Sequence, residues 1–232
     1  VKVALICGYE AATRASWPAA KLVSIFTSSG GDGDNCHAIC EALASDDRLI
    51  SPTRFHNSVH NAPAGYWSIA MAARPASTSL CAHDGSFAAG LLEAITEAVV
   101  NRHPVILVAY DAPYPEPLLS VRPVPWPFGV AMVLGPEPGP RSIGRIRVRL
   151  VESDPTSTTG PTPTPMADPA LEQLRASIPT ARALPLLEAI ARGPASTVVL
   201  DYLDPTRLEI DWTPGATGVV DASEPATAPP SP

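Results

Sequence analysis

The sequence is poor in lysine, in cysteine and in long apolar runs, and each shortage excludes a class of protein. Of its 16 basic residues only Lys2 and Lys21 are lysines, and the 232-residue chain has a net charge of −7. A nucleic-acid-binding surface is therefore not expected. No stretch approaches the roughly 18 consecutive apolar residues that cross a bilayer, so no membrane span is predicted. Four cysteines are too few for a disulfide scaffold in a chain of this length, and the simplest location is the cytoplasm.

Proline, by contrast, is abundant, and its clusters divide the chain. The 28 prolines concentrate in residues 113–140, 155–165 and 224–232. The second cluster is mixed with Ser, Thr and Gly and predicts a linker over 153–169. The third predicts a disordered tail over 214–232.

Between these clusters, strands alternate with helices. Apolar spacing predicts strands over 23–27, 76–80, 105–109, 128–134, 143–151, 197–203 and 207–212. It predicts helices over 3–12, 63–73, 86–100, 170–178 and 184–192, and a further helix that Asp34 caps after a Gly-rich turn. This alternation predicts a layered α/β domain over 1–152 and a small α/β extension over 170–213.

Two motifs resemble ligand sites but lack essential parts. Cys36, His37 and Cys40 suggest a metal, yet His37 points about 100° away from Cys36 on a helix, and no second Cys or His pair follows. The turn Gly30-Gly31-Asp32-Gly33-Asp34 lacks the Lys-Ser/Thr of a phosphate-binding loop. We predict no metal site and no cofactor.

Two polar segments can carry chemistry. Residues 52–67 contain His56 and His60, which are either an acid/base pair or structural histidines. Residues 76–87 predict a strand, a sharp turn and a helix, a geometry in which the helix dipole acidifies a thiol at the turn. Cys81 and His83 are the candidates there. The alternative is a buried Cys81 that ends the strand, with Asp84 or Ser86 capping the helix.

These segments, in this order, resemble the N-terminal half of a β-ketoacyl-acyl-carrier-protein synthase. The similarity runs from about residue 24 to residue 151 and includes the Asn-x-x-Ala-Gly helix start at Asn61. It is closest to the short chain-length-factor type of aryl polyene (xanthomonadin-type) clusters, which shares the Gly-Asp-Gly turn and the Ser-Phe-Ala-Ala-Gly helix. The resemblance implies a thiolase-like half, a layered α/β fold with a mostly buried mixed sheet, which is incomplete relative to a full ketosynthase and lacks its first strand. Residues 1–152 would be the synthase N-terminal-like domain.

The sequence departs from the family at the residues that catalyse condensation. His83 stands at the nucleophile position, and Cys81 falls two residues earlier, where its side chain is expected to point inward. The family's two histidines from the C-terminal half have no counterpart, because no histidine follows His103. The chain alone is therefore expected to be inactive.

The resemblance implies a non-catalytic subunit that forms a heterodimer with a full-length ketosynthase and meets the acyl carrier protein indirectly. In the family, the strand before the nucleophile joins the subunits, and a preceding segment reaches the partner's acyl tunnel. The corresponding residues here are Phe55, His56, His60, Asn61, Tyr66, Ser77, Thr78 and Ser79. Half a fold leaves one sheet face open, and we expect residues 170–212 to cover part of it and the partner to cover the rest.

Two alternatives remain. The chain could be an independent synthase or acyltransferase that uses Cys81. It could also bind acyl carrier protein without a partner subunit, with Arg145, Arg147 and Arg149 offsetting its acidity, although a solvated strand face explains these arginines equally well.

Overall fold

The computed structural model describes residues 1–139, 141–152 and 161–215. Its helices are α1 (Lys2–Arg14), α2 (Gly33–Ala44), α3 (Pro52–Ser58), α4 (Ala62–Ala70), α5 (Ser86–Val100), α6 (Leu118–Val121), α7 (Pro169–Ser177) and α8 (Leu184–Arg192). Its strands are β1 (Val23–Thr27), β2 (Ser77–Leu80), β3 (Val105–Asp111), β4 (Phe128–Leu134), β5 (Gly144–Glu152), β6 (Ser196–Asp201) and β7 (Thr206–Pro214). Three 3-10 turns cover Ala19–Lys21, His83–Gly85 and Pro179–Ala183.

The strands form two sheets. The larger sheet has the order β2-β1-β3-β4, in which β1, β2 and β3 are parallel and β4 is antiparallel to β3. The smaller sheet is antiparallel, with the order β5-β7-β6. The mixed larger sheet is the one that the family resemblance implies.

Elements of the same chain cover both faces of the larger sheet. On one face, α1 and α4 bury Trp67 against Phe26 and Val108. On the other face, α5, α8 and the inner side of the smaller sheet share one core. Gly90 of α5 lets that helix approach the sheet closely, because a Cβ there would lie 2.7 Å from Thr27 Cγ2. The C-terminal residues 170–212 thus supply part of this cover, as expected, and a contribution from a partner stays a prediction.

The long periodic segments have the predicted type and, in several cases, the predicted bounds. Helices α5 and α8 and strands β1 and β4 begin and end where the periodicity placed them. Helix α3 was not predicted. The N-cap of α2 is Asp32, not Asp34, because the Asp32 carboxylate accepts a hydrogen bond from Asn35 N at 3.1 Å.

Strand β5 was assigned to the first predicted domain, but it pairs along its full length with β7 of the predicted extension. The boundary at residue 152 stays a prediction. The linker residues 153–160 and the tail residues 216–232 lie outside the described residues. Arg145, Arg147 and Arg149 are exposed on β5, as the alternation predicted. None of the helices in the described ranges is long and apolar enough to cross a membrane.

Candidate functional site at the strand ends

The candidate site lies where the three parallel strands end. The carboxyl ends of parallel strands meet at one edge of a sheet, and this edge is where α/β proteins commonly place functional groups. Here Thr27, Leu80 and Asp111 end β1, β2 and β3. The turn from Ser28 to Gly31, the loop with Cys81, and the segment after β3 therefore come together.

A buried carboxylate fixes the turn after β1. Asp111 is 2% exposed, and its Oδ1 accepts hydrogen bonds from Ser29 N at 2.9 Å and Ser29 Oγ at 2.7 Å. Ser28 Oγ also donates to Oδ1, at 3.3 Å. The other oxygen, Oδ2, accepts from Thr180 N at 2.8 Å and Thr180 Oγ1 at 2.7 Å. Five donors compensate the burial of this carboxylate, and they join β1, β3 and the turn Pro179–Ala183.

The turn between β2 and α5, residues 81–85, is called the elbow below. His83 lies in this elbow in a left-handed conformation, with φ of +50°. Ser86 Oγ donates to His83 O at 2.7 Å and thus tightens the turn. The His83 side chain is 72% exposed, and its Nε2 lies 2.5 Å from Arg122 Nη1. Because a guanidinium only donates hydrogen bonds, Nε2 is the acceptor in this contact. The elbow thus presents an imidazole whose Nε2 accepts a hydrogen bond from an arginine.

Cys81 is exposed, which contradicts the expectation that its side chain points inward. Strand β2 ends at Leu80, so the alternation of strand side chains does not extend to residue 81. The Cys81 thiol donates to Ser29 O at 3.2 Å. Among the described residues no histidine is hydrogen-bonded to this thiol, so it lacks the adjacent base that activates a cysteine nucleophile.

The predicted tunnel segment folds into α3 and the start of α4. Phe55 is 60% exposed on α3. Tyr66 OH donates to Asn57 Oδ1 at 2.8 Å, and its ring meets His56 edge-on at a centroid distance of 6.1 Å. His60 does not pair with His56.

Instead, His60 Nε2 lies 3.2 Å from Ser28 O, which ties the α3–α4 connection to the turn after β1. Asn61 is the exposed N-cap residue of α4, but its side chain makes no capping hydrogen bond. The acid/base pair considered for His56 and His60 therefore does not form in this arrangement.

Ser77, Thr78 and Ser79 lie on β2, an edge strand of the larger sheet. Ser24 Oγ donates to Ser77 Oγ at 2.9 Å across the β1–β2 pair. The other side of β2 pairs with no strand among the described residues.

Cys36 and Cys40 are both exposed on α2. Partial burial of the sulfur, followed by the neighbouring Asp32 and Cys40, raises the pKa of the Cys36 thiol, which makes the metal-binding thiolate less available. In the part of the chain that the structure describes, no group of three His, Cys, Asp or Glu side chains could hold a metal ion.

Sequence reasoning missed several residues of this site, among them Asp111, Tyr114, Arg122 and Arg182. Asp111 ends an otherwise apolar strand, and that isolated carboxylate is the one local signal that could have revealed it. Tyr114 OH lies 3.1 Å from Ser29 Oγ, whereas Arg122 and Arg182 both contact Asp84. These three are separated from their partners by dozens of residues, so no local pattern predicts them.

The family follows from a comparison over most of the chain. Residues 2–188 match the model of the β-ketoacyl synthase N-terminal domain. The chain belongs to this family. Among curated proteins, no sequence matches it.

Solved structures that are similar to this β-ketoacyl synthase N-terminal domain include the following two. The first is the ketosynthase ApeO in complex with its chain length factor ApeC from Xenorhabdus doucetiae, with a TM-score of 0.67 and 24% identity, covering 90% of this chain and 76% of that chain. The second is germicidin synthase from Streptomyces coelicolor, a type III polyketide synthase, with a TM-score of 0.45 and 12% identity, covering 91% and 71%. Together with the family match, the first similarity establishes a thiolase-like ketosynthase half-domain fold.

Proposed function

We propose that the chain is a non-catalytic, chain-length-factor type subunit that pairs with a complete β-ketoacyl-acyl-carrier-protein synthase in polyene or fatty-acid-like biosynthesis. The observation that carries this proposal is His83 at the elbow, where its imidazole accepts from Arg122. A condensing enzyme needs a nucleophile there to hold the acyl thioester. In the proposed complex the partner supplies the nucleophile, and acyl carrier protein delivers substrate to that partner in the cytoplasm.

The architecture of a similar structure supports a paired arrangement. That structure contains a ketosynthase and its chain length factor in one complex. A subunit of this kind needs no catalytic groups of its own, because it acts by shaping the space into which the partner's acyl chain grows.

The outer edge of β2, which pairs with no other described strand, supports β2 as the place where the partner binds. Ser24 N donates to Ala76 O at 3.1 Å, so Ala76 and Thr78 turn their backbone groups toward β1. Ser77 and Ser79 then present their N–H and C=O groups to the open side. Such an edge is a template for a strand from another chain.

We expect Ser79→Pro to prevent the complex, because proline removes an outward N–H without disturbing the bonds to β1. The matched control is Ser79→Ala, which keeps this N–H. The measurement is the native mass after co-expression with a complete synthase from the same organism. The unmodified chain and the Ser79→Ala variant should give a stoichiometric heterodimer, and Ser79→Pro should give the separate subunits. A wild-type chain that stays monomeric or forms a homodimer beside that synthase would overturn the proposal.

Phe55 is the candidate for setting product length, since its exposed ring lies on the segment assigned to the partner's tunnel. We expect Phe55→Ala to lengthen the products of the complex and Phe55→Trp to shorten them, whereas His83→Ala leaves the rate of condensation nearly unchanged. Mass spectrometry of the released acyl chains measures the length distribution. Identical distributions in an intact complex would remove Phe55 from the tunnel. Tyr66 and His56, whose rings contact each other, lie on the same predicted tunnel segment as Phe55.

A second candidate function is acyl transfer by Cys81, and its exposure is the observation that favours it. An acyl thioester or a cerulenin-like electrophile would then label Cys81 in the isolated chain. We expect no selective labelling over Cys36 and Cys40, because the Cys81 thiol donates to a carbonyl and no described residue is hydrogen-bonded to it as a base. Selective, stoichiometric acylation of Cys81 would establish the alternative.

A further inference from the structure

A series of charges of alternating sign connects the elbow to the C-terminal elements. Asp84, the residue after His83, contacts Arg122 Nη2 through Oδ1 at 2.5 Å and Arg182 Nη2 through Oδ2 at 3.0 Å. Arg182 Nη1 continues to Asp201 Oδ2 at 3.4 Å. Arg175 Nη1 reaches the same oxygen at 3.3 Å. One aspartate thus joins the elbow, the segment after β3 and, through Arg182, strand β6.

The far end of the series is anchored on α7. Arg175 binds Glu172 through two hydrogen bonds, Nε to Oε2 at 2.8 Å and Nη2 to Oε1 at 2.6 Å. Glu172 Oε2 also accepts from Met166 N at 2.8 Å. The hydrogen bonds from Arg175 and from Met166 N lower the pKa of Glu172 to about 2, so this carboxylate is ionised at neutral pH.

These ion pairs are better shielded than ordinary surface pairs. The side chains of Arg122, Arg182 and Asp201 are 24%, 22% and 22% exposed. Burial acts to lower the pKa of Arg122, but its hydrogen bonds to Tyr114 and Asp84 outweigh burial and raise it. Each Asp84 oxygen contacts its own arginine, and partial burial makes such pairs stronger than an isolated exposed pair.

A backbone contact lies directly beside the ion pairs. Gly85, the last residue of the elbow turn, packs so closely on the loop after β6 that an added Cβ would lie 2.4 Å from Tyr202 O. The elbow therefore meets the C-terminal elements through both its backbone and its charges.

We propose that Asp84 is the positioning residue of the elbow, and that through Arg122 and Arg182 it makes the elbow's conformation depend on the segment after β3 and on the C-terminal elements. This inference does not rest on the proposed function. Under either proposed function, the conformation of the surface around His83 and Cys81 depends on the contacts that Asp84 makes with Arg122 and Arg182.

The rate at which a reagent labels the Cys81 thiol reports the conformation of the elbow. The labelling rates of Cys36 and Cys40 are controls in the same molecule. We expect Asp84→Asn to raise the rate at which N-ethylmaleimide labels Cys81 by about fivefold, because a released elbow frees the thiol from Ser29 O. Labelling of Cys36 and Cys40 should not change. Peptide mass spectrometry on the purified chain measures all three rates together, and the rate at Cys81 should return to the wild-type value in Asp84→Glu.

The matched control is Glu209→Gln, which removes a carboxylate from the Arg149 pair on the exposed face of the smaller sheet. This variant should leave the rate at Cys81 unchanged, whereas Arg182→Gln should raise it as Asp84→Asn does. A rate at Cys81 that stays at the wild-type value in a folded Asp84→Asn or Arg182→Gln chain would overturn the proposal. An equal rise at all the cysteines would also overturn it, because it would mean general loosening and not a local effect.

Discussion

Asp111 is a buried carboxylate that accepts hydrogen bonds from five donors, so its replacement should be costly. Replacement by asparagine would turn an amide N–H₂ toward groups that themselves donate. We expect Asp111→Asn to lower the free energy of unfolding by about 3 kcal/mol, since an unsatisfied buried polar group is costly. Urea denaturation at pH 7 measures this change.

The control for Asp111 is another aspartate on the same framework. Asp211 lies on the outer face of β7 and accepts from Thr197 Oγ1 at 2.8 Å, with its side chain 30% exposed. Asp211→Asn should lower the free energy of unfolding by less than about 1 kcal/mol, because water can replace the exposed contacts that the carboxylate loses. Equal losses in the two variants would mean that the five contacts of Asp111 are not what stabilises the turn after β1.

At the level of single elements, sequence periodicity was sufficient where a segment is long and has one apolar face. Helix α5 shows an apolar stripe over four turns, and β4 is a continuous apolar run, so both begin and end as predicted. Helix α3 has seven residues and not one of them is buried. Its starting signals, a Ser51 N-cap and a proline in the first turn, were present in the sequence, but there was no apolar period to support them.

Some features of the elbow can be predicted from local sequence and others cannot. The strand, turn and helix around Cys81 and His83 follow from local pattern, and the structure has them. The orientation of the Cys81 side chain does not follow from local pattern, because β2 ends at Leu80 and the alternation of side chains ends with the strand. Arg122 and Arg182 are 38 and 98 residues from Asp84, so only the assembled fold brings their charges together.

For the whole molecule, the open question is whether the predicted boundary at residue 152 separates two units. The packing favours one cooperative unit. Strand β5 pairs with β7 across that boundary, and one hydrophobic core includes Leu107 of the larger sheet and Leu208 of the smaller sheet. A core that both sheets share is lost as a whole, because neither sheet can expose its apolar face to water at low cost.

Leu208→Ala distinguishes one unit from two. Leu208 is fully buried, so we expect a loss of about 3 kcal/mol in the free energy of unfolding. In a single unit this loss should accelerate hydrogen exchange of the slowest amides in β3 as much as in β7, although β3 belongs to the other predicted domain. The control is Leu203→Ala, because Leu203 is 49% exposed. This variant should change neither the free energy of unfolding nor the exchange of the slowest amides. If β3 keeps its protection while β7 loses it, the two predicted domains unfold separately, and the elbow's contacts with the C-terminal elements join two independently stable bodies.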